Sequence, residues 1–121
     1  MTKKKIAIID DEKDLCFLIR SILESTGSYD VFFAHDGRAG IELCVREEPD
    51  LIFLDFIMPL VKGDQVIQYI KDHPPGNKPM IVLMSGSGPE VEKVTGADIF
   101  LAKPFSRDEL LGITKRILAA D

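Results

Sequence analysis

Residues 50–59 read Asp-Leu-Ile-Phe-Leu-Asp-Phe-Ile-Met-Pro: four consecutive apolar side chains, Leu51-Ile52-Phe53-Leu54, that run into the acid Asp55. A strand with one wet face alternates apolar and polar residues, whereas an unbroken branched and aromatic run suits a strand covered on both faces. The same pattern stands at Ile6-Ala7-Ile8-Ile9 before Asp10 and at Met80-Ile81-Val82-Leu83-Met84 before Ser85. A shorter version, Ile99-Phe100-Leu101-Ala102, precedes Lys103, and Tyr29–Ala34 is more mixed. Five strands are therefore predicted, over Lys5–Asp10, Tyr29–Ala34, Asp50–Asp55, Pro79–Ser85 and Asp98–Lys103.

Between them the apolar period becomes helical. Leu15, Leu18, Ile19, Ile22 and Leu23 form one stripe, stopped by Gly27. Ala39 and Leu43, with Ile41 alongside, follow an Asp36 cap, and Pro49 closes that helix. Val66, Ile67 and Ile70 share a face of a third helix, ended by Pro74-Pro75-Gly76. Pro89 suits the first turn of a short fourth helix with Val91 and Val94, stopped by Gly96. Ser106-Arg-Asp-Glu109 is a capping box ahead of Leu110, Ile113, Thr114 and Ile117. The alternation is (βα)5 with no linker or repeat, so residues 1–121 read as one domain of α/β class with a doubly wound parallel five-stranded sheet. Two strand orders are common for doubly wound sheets, and five strands favour the flavodoxin-like order 2-1-3-4-5. Periodicity alone does not choose between them.

Composition narrows the function. Hydrophobic residues make up 45% and charged residues 29%, the balance of a globular protein. A net charge of −5 offers no general attraction for nucleic acid or anionic lipid, and Lys3-Lys4-Lys5 reads as a solvated lead-in to the first strand. Cys16 and Cys44 lie in helical stretches without zinc-type spacing and read as small apolar residues with reduced thiols. Neither a signal peptide nor a 20-residue apolar span is recognisable, so a cytoplasmic location is expected. His35 and His73 have no partners that suggest metal or acid–base work, and both are expected to be exposed.

What ends the strands carries the chemistry. Strand one ends in Asp10-Asp11, strand three in Asp55, strand four in Ser85 and strand five in Lys103. In the order 2-1-3-4-5 these four strands are neighbours, and ligands of such sheets bind at the carboxyl edge. Asp10 or Asp11 alone is explained as a helix cap. The set is not. Three adjacent carboxylates repel, and one pKa rises strongly unless a cation intervenes. Lys103 cannot balance three negatives, and Mg²⁺, which prefers carboxylate, carbonyl and water oxygens, is the natural compensator.

Asp10-Asp11, Asp55-Phe-Ile-Met58-Pro59 with Gly63, Ser85-Gly86 and Lys103-Pro104-Phe105 resemble the receiver domain of two-component response regulators, including the chemotaxis regulators. Spacing supports the likeness: Asp55 lies 44 positions after Asp11, and Ser85 lies 30 after Asp55. The resemblance implies a bacterial phosphorelay protein whose Asp55 takes a phosphoryl group from a histidine kinase or phosphotransfer protein. It makes Asp11, Asp55 and the Ile57 backbone carbonyl the Mg²⁺ ligands, with Asp10 acting through water. Lys103 pairs with a phosphoryl oxygen, across a Lys103–Pro104 bond that the family usually holds cis. Ser85 donates its hydroxyl to the phosphoryl group, and Gly86 leaves it room. Phe100 is the aromatic switch that follows Ser85, so the face of the fourth helix, fifth strand and fifth helix would present the output to a downstream protein. Met58 and Pro59 shape the loop. Ile57 and Ser87 match positions that tune hydrolysis, and Ile57, unable to orient a water, implies a long-lived acyl phosphate. Such a protein is no enzyme beyond its own phosphotransfer and dephosphorylation, and neither nucleic acid nor membrane is an expected partner of this domain.

Only 18 positions separate Ser85 from Lys103, where the family has about 22, which implies a fourth helix shortened by about one turn. Two rival readings, an enzyme and a flavin-binding protein, fail on local sequence. A haloacid-dehalogenase-type phosphatase needs a second acid at position 57, which is Ile57, and a flavodoxin phosphate loop is incompatible with Asp10-Asp11-Glu12. The remaining alternative is a receiver-like protein-binding module that signals without phosphorylation. The signal, the cognate kinase and the presence of an attached output domain are not encoded in these motifs.

Overall fold

The structure is a computed structural model that describes residues 3–58, 61–74, 76–86 and 96–118. Its five strands are β1 (Lys4–Ile9), β2 (Tyr29–Ala34), β3 (Leu51–Asp55), β4 (Met80–Ser85) and β5 (Ile99–Ala102). They form one parallel sheet in the order β2-β1-β3-β4-β5, the flavodoxin-like order expected. Four helices are described: α1 (Lys13–Glu24), α2 (Gly37–Glu47), α3 (Gly63–Asp72) and α4 (Arg107–Leu118), the last being the fifth helix expected from the sequence. The short fourth helix expected there, with Ser87, Pro89, Val91 and Val94, lies outside the described residues, as does Pro59.

Alternation along each strand sorts the core into two layers. Ala7, Ile9, Ile52, Leu54, Ile81 and Leu83 face α2 and α3, meeting Leu43, Cys44, Val66, Ile67 and Ile70. Their neighbours Ile6, Ile8, Leu51, Phe53, Val82 and Met84 face α1 and α4, meeting Cys16, Ile19, Leu23 and Leu110. Both faces are covered, which is why these strands carry no alternating polar residues. Phe53 is fully buried, and truncating it to alanine should cost about 3–5 kcal/mol.

Helix ends follow the local chemistry. The Asp36 side chain accepts from the Ala39 N–H at 2.8 Å and starts α2. That helix stops one residue before Pro49, at Glu48, whose φ of 46° is left-handed. At α4 the capping box closes in both directions: the Glu109 N–H donates to Ser106 Oγ, and the Ser106 N–H to Glu109 Oε1, each at 3.0 Å.

The α1 stripe differs from the one expected. Cys16, Ile19 and Leu23 form the buried face, Leu15 and Ile22 flank it, and Leu18 is 54% exposed. At about 100° per residue, Leu18 lies about 130° from the centre of the Cys16–Ile19–Leu23 face, too far round to reach the sheet. The small thiol of Cys16 is fully buried on the inner face instead.

Candidate functional site

Register brings the strand ends level. Ile9 pairs with Leu54, so Asp10 and Asp55 follow at the same height, and Ser85 pairs with Ala102 just before Lys103. Backbone bonds lock the edge: Asp10 N–H to Ala34 O at 3.1 Å, Phe56 N–H to Met84 O at 2.9 Å and Lys103 N–H to Ser85 O at 2.8 Å.

Asp10, Asp11 and Asp55 each offer a carboxylate oxygen, and these oxygens lie within 4.8 Å of one another. Asp10 and Asp55 are buried, while Asp11 is exposed at the mouth. Asp10 does not cap α1; its Oδ1 accepts the Glu12 N–H at 2.9 Å, and the N-cap is Glu12. That local bond turns the carboxylate back over the strand end.

Lys103 braces the cluster. Its Nζ donates to Asp10 Oδ2 at 2.7 Å and lies 3.4 Å from Asp55 Oδ1 and 3.5 Å from Glu12 Oε1. Glu12 is not among the site residues expected from the sequence; its only signal there is that it extends the Asp10-Asp11 run. The Lys103–Pro104 peptide is cis.

One ammonium does not balance this much negative charge. Burial first, and then the Asp10 carboxylate, push the Asp55 pKa up from 3.8 to about 6, against the pull of Lys103 and the Ile57 backbone N–H. For Lys103, burial works against the charged form, but the hydrogen bond and charge of Asp10, with Asp55 and Glu12 behind them, outweigh it and raise the pKa. The two shifts agree on a pocket with surplus negative charge. The donor set fits Mg²⁺, which prefers hard oxygen ligands: three carboxylates gathered within 4.8 Å of one another. No zinc-type ligand is included in this cluster.

Ser85 is buried at the end of β4, beside the paired β3 and β5 ends. Ile57 has its side chain 69% exposed while its N–H bonds the Asp55 carboxylate. Phe100 is 42% exposed on β5, out on the surface rather than in the core. Ser87 lies outside the described residues. Gly63 closes the loop from the far side: a Cβ there would sit 2.7 Å from Asp55 O and 2.9 Å from Phe56 Cα.

His35 is a correction. It is half-buried rather than exposed, with Nδ1 3.3 Å from Asp10 O and its ring against Phe33. His73 is exposed, as expected, and stacks on Tyr69.

A parallel α/β sheet with a lysine-braced acidic pocket at the carboxyl ends of its central strands defines the class. The response regulator receiver domain family matches residues 6–115, and the chain belongs to that family. Among solved structures it is similar to the chemotaxis protein CheY4 of Vibrio cholerae, at 26% identity and a TM-score of 0.87, covering 97% of this chain and 100% of that one. The signal receiver domain of the putative response regulator NarL from Mycobacterium tuberculosis matches at 25% identity and a TM-score of 0.88 over 100% of both chains. The receiver domain of the sensor histidine kinase PA1611 from Pseudomonas aeruginosa matches at 25% identity and a TM-score of 0.87, over 98% of this chain and 100% of that one. That domain carries a magnesium ion coordinated in its active-site cleft. Among the described residues, no helix is long and apolar enough to cross a membrane.

Proposed function

We propose that residues 1–121 act as one receiver domain of a bacterial two-component phosphorelay, taking a phosphoryl group onto Asp55 from a phosphohistidine on a histidine kinase or phosphotransfer protein. The observation that carries this reading is the convergence of Asp10, Asp11 and Asp55 within 4.8 Å, braced by Lys103. Asp11, Asp55 and the Ile57 carbonyl would hold Mg²⁺, with Asp10 acting through water. The ion would supply charge neutralisation for phosphoryl oxygens in a loose transition state.

The residues themselves divide the remaining work. An Asp55 carboxylate oxygen attacks phosphorus, the phosphorus–nitrogen bond of the donor imidazole breaks, and that nitrogen leaves with the electron pair and takes a proton. Lys103, already on Asp55 Oδ1, moves its point charge to a phosphoryl oxygen. Ser85 turns its hydroxyl toward the new acceptors, and Gly86 leaves the approach open. The added charge of about −2 favours the closed arrangement of Ser85 and Lys103. Phe100, on the surface in the unphosphorylated chain, follows Ser85 inward and changes the face that a downstream protein reads. Catalysis is confined to the chain's own phosphotransfer and dephosphorylation. The domain works in the cytoplasm, without nucleic acid or membrane as a direct partner.

Intact-mass spectrometry after incubation with Mg²⁺ and acetyl phosphate tests the reading. An adduct of about 80 Da that is absent without Mg²⁺ and absent in Asp55→Asn supports it. No adduct under any condition refutes it in favour of a module that signals without phosphorylation.

A further inference from the structure

The carbonyl of Asp10 is held from two sides by side chains that take no part in the proposed chemistry. Cys16 Sγ donates to it at 3.3 Å from α1, and His35 Nδ1 lies 3.3 Å from it at the end of β2. On the other side of the same residue, the Asp10 N–H donates to Ala34 O at 3.1 Å, so β2 grips it twice. His35 is itself fixed. Its ring lies 5.1 Å from that of Phe33, and the Arg20 guanidinium sits 5.4 Å over the other member of that pair. A carbonyl oxygen only accepts, so the bond requires the proton on Nδ1 of His35.

The Asp10 carbonyl belongs to the peptide that joins Asp10 to Asp11. Rotating that peptide swings the exposed Asp11 carboxylate, whereas Asp10 keeps its own anchors on Lys103 and the Glu12 N–H. We infer that His35 is a positioning residue of the metal site: its Nδ1–H fixes the Asp10–Asp11 peptide and so holds the Asp11 carboxylate where it shares an ion with Asp55. Strand β2 supplies no ligand, yet in this way it sets the geometry of the acidic pocket.

The inference rests on the metal-site reading above, and the test separates the two. Mg²⁺ is titrated into the full chain and followed by amide NMR shifts. His35→Ala should weaken Mg²⁺ binding about fivefold, the equilibrium equivalent of one lost hydrogen bond. His35→Asn, whose Nδ2 lies as many bonds from the backbone as histidine Nδ1, should bind within about twofold of the wild type. His35→Gln, with its donor one bond too far, should track alanine. Four equal affinities, or asparagine behaving like alanine, overturn the proposal. Two-bond ¹H–¹⁵N spectra of the unmutated protein, with His73→Gln to assign the signals, supply a second readout that no folding defect can blur. Neutral His35 protonated at Nδ1 supports the assignment, and protonation at Nε2 overturns it. A wild type that does not bind Mg²⁺ refutes the metal-site reading instead, and the tautomer then decides whether His35 holds the Asp10 carbonyl.

Discussion

Replacing Asp55 with asparagine removes a charge that the fold holds at a cost. Burial, followed by the Asp10 carboxylate, raises the Asp55 pKa from 3.8 to about 6. The folded chain therefore keeps a proton on Asp55 at pH values where the unfolded chain has lost it. Between about pH 4 and 6 the native state binds more protons, so stability falls as pH rises through that window, and the full penalty persists above it. A shift of about two units corresponds to at most about 3 kcal/mol. Water and salt reach the pocket at the exposed Asp11 and screen a good part of this, leaving about 1–2 kcal/mol. Urea denaturation in EDTA measures it. Asp55→Asn should be about 1–2 kcal/mol more stable than the wild type at pH 7.5, and the difference should shrink toward zero by pH 4. With Mg²⁺ present the wild type regains about 1.4 kcal/mol for each tenfold excess over the Kd, and the variant regains less. A variant less stable than the wild type at pH 7.5, or a gain independent of pH, refutes the reasoning.

Three further outcomes follow from the same geometry. Lys103→Ala leaves the fully buried Asp10 carboxylate without its 2.7 Å partner and should cost about 2–3 kcal/mol in urea at pH 7, the opposite sign to Asp55→Asn. Because the Lys103 pKa is raised, the ammonium is fully charged below the ordinary lysine value, and on the alkaline side this difference should persist until the solution is strongly alkaline. Gly63→Ala puts a Cβ 2.7 Å from Asp55 O and should cost about 2–3 kcal/mol, whereas Gly112→Ala, with nothing within 4 Å, should be neutral or stabilising by up to about 1 kcal/mol; thermal melts compare the two. Ile57→Asn should leave stability within about 0.5 kcal/mol, because the side chain is 69% exposed, yet shorten the lifetime of the Asp55 adduct followed by mass; an unchanged decay rate contradicts a tuning role.

Much of this arrangement can be read from residue order because burial on both faces leaves a plain mark. The Leu51–Leu54 run locates β3 to within one residue, and Tyr29–Ala34 is matched at both ends. Pairing order is not in any local pattern; it comes from the small set of orders that doubly wound sheets adopt, and the register confirms it. The polar residues that end β1, β3, β4 and β5 (Asp10, Asp55, Ser85 and Lys103) are legible because each interrupts an apolar run. Less legible is anything that depends on rotation about an axis. Leu18 counts as apolar in a stripe, but Cys16 sits closer to the sheet, and only packing decides between them. His35 carries no motif at all. Its partner is a backbone carbonyl 25 positions away, a contact made by the parallel pairing of β1 with β2 and invisible to side-chain spacing. Glu12 joins the Lys103 network for a similar reason, since the sheet order must first bring the β5 end, past β4 and β3, within reach of the residues that follow β1.

A Mn²⁺ titration of the ¹⁵N-labelled protein reaches the sharing of one ion by three carboxylates most directly. Substoichiometric Mn²⁺ should broaden the amides of Asp10, Asp11 and residues 55–57 first, saturate at one ion per chain, and lose that selectivity in Asp11→Asn. Broadening centred elsewhere, or a pattern unchanged by Asp11→Asn, would show that these carboxylates do not hold a common ion.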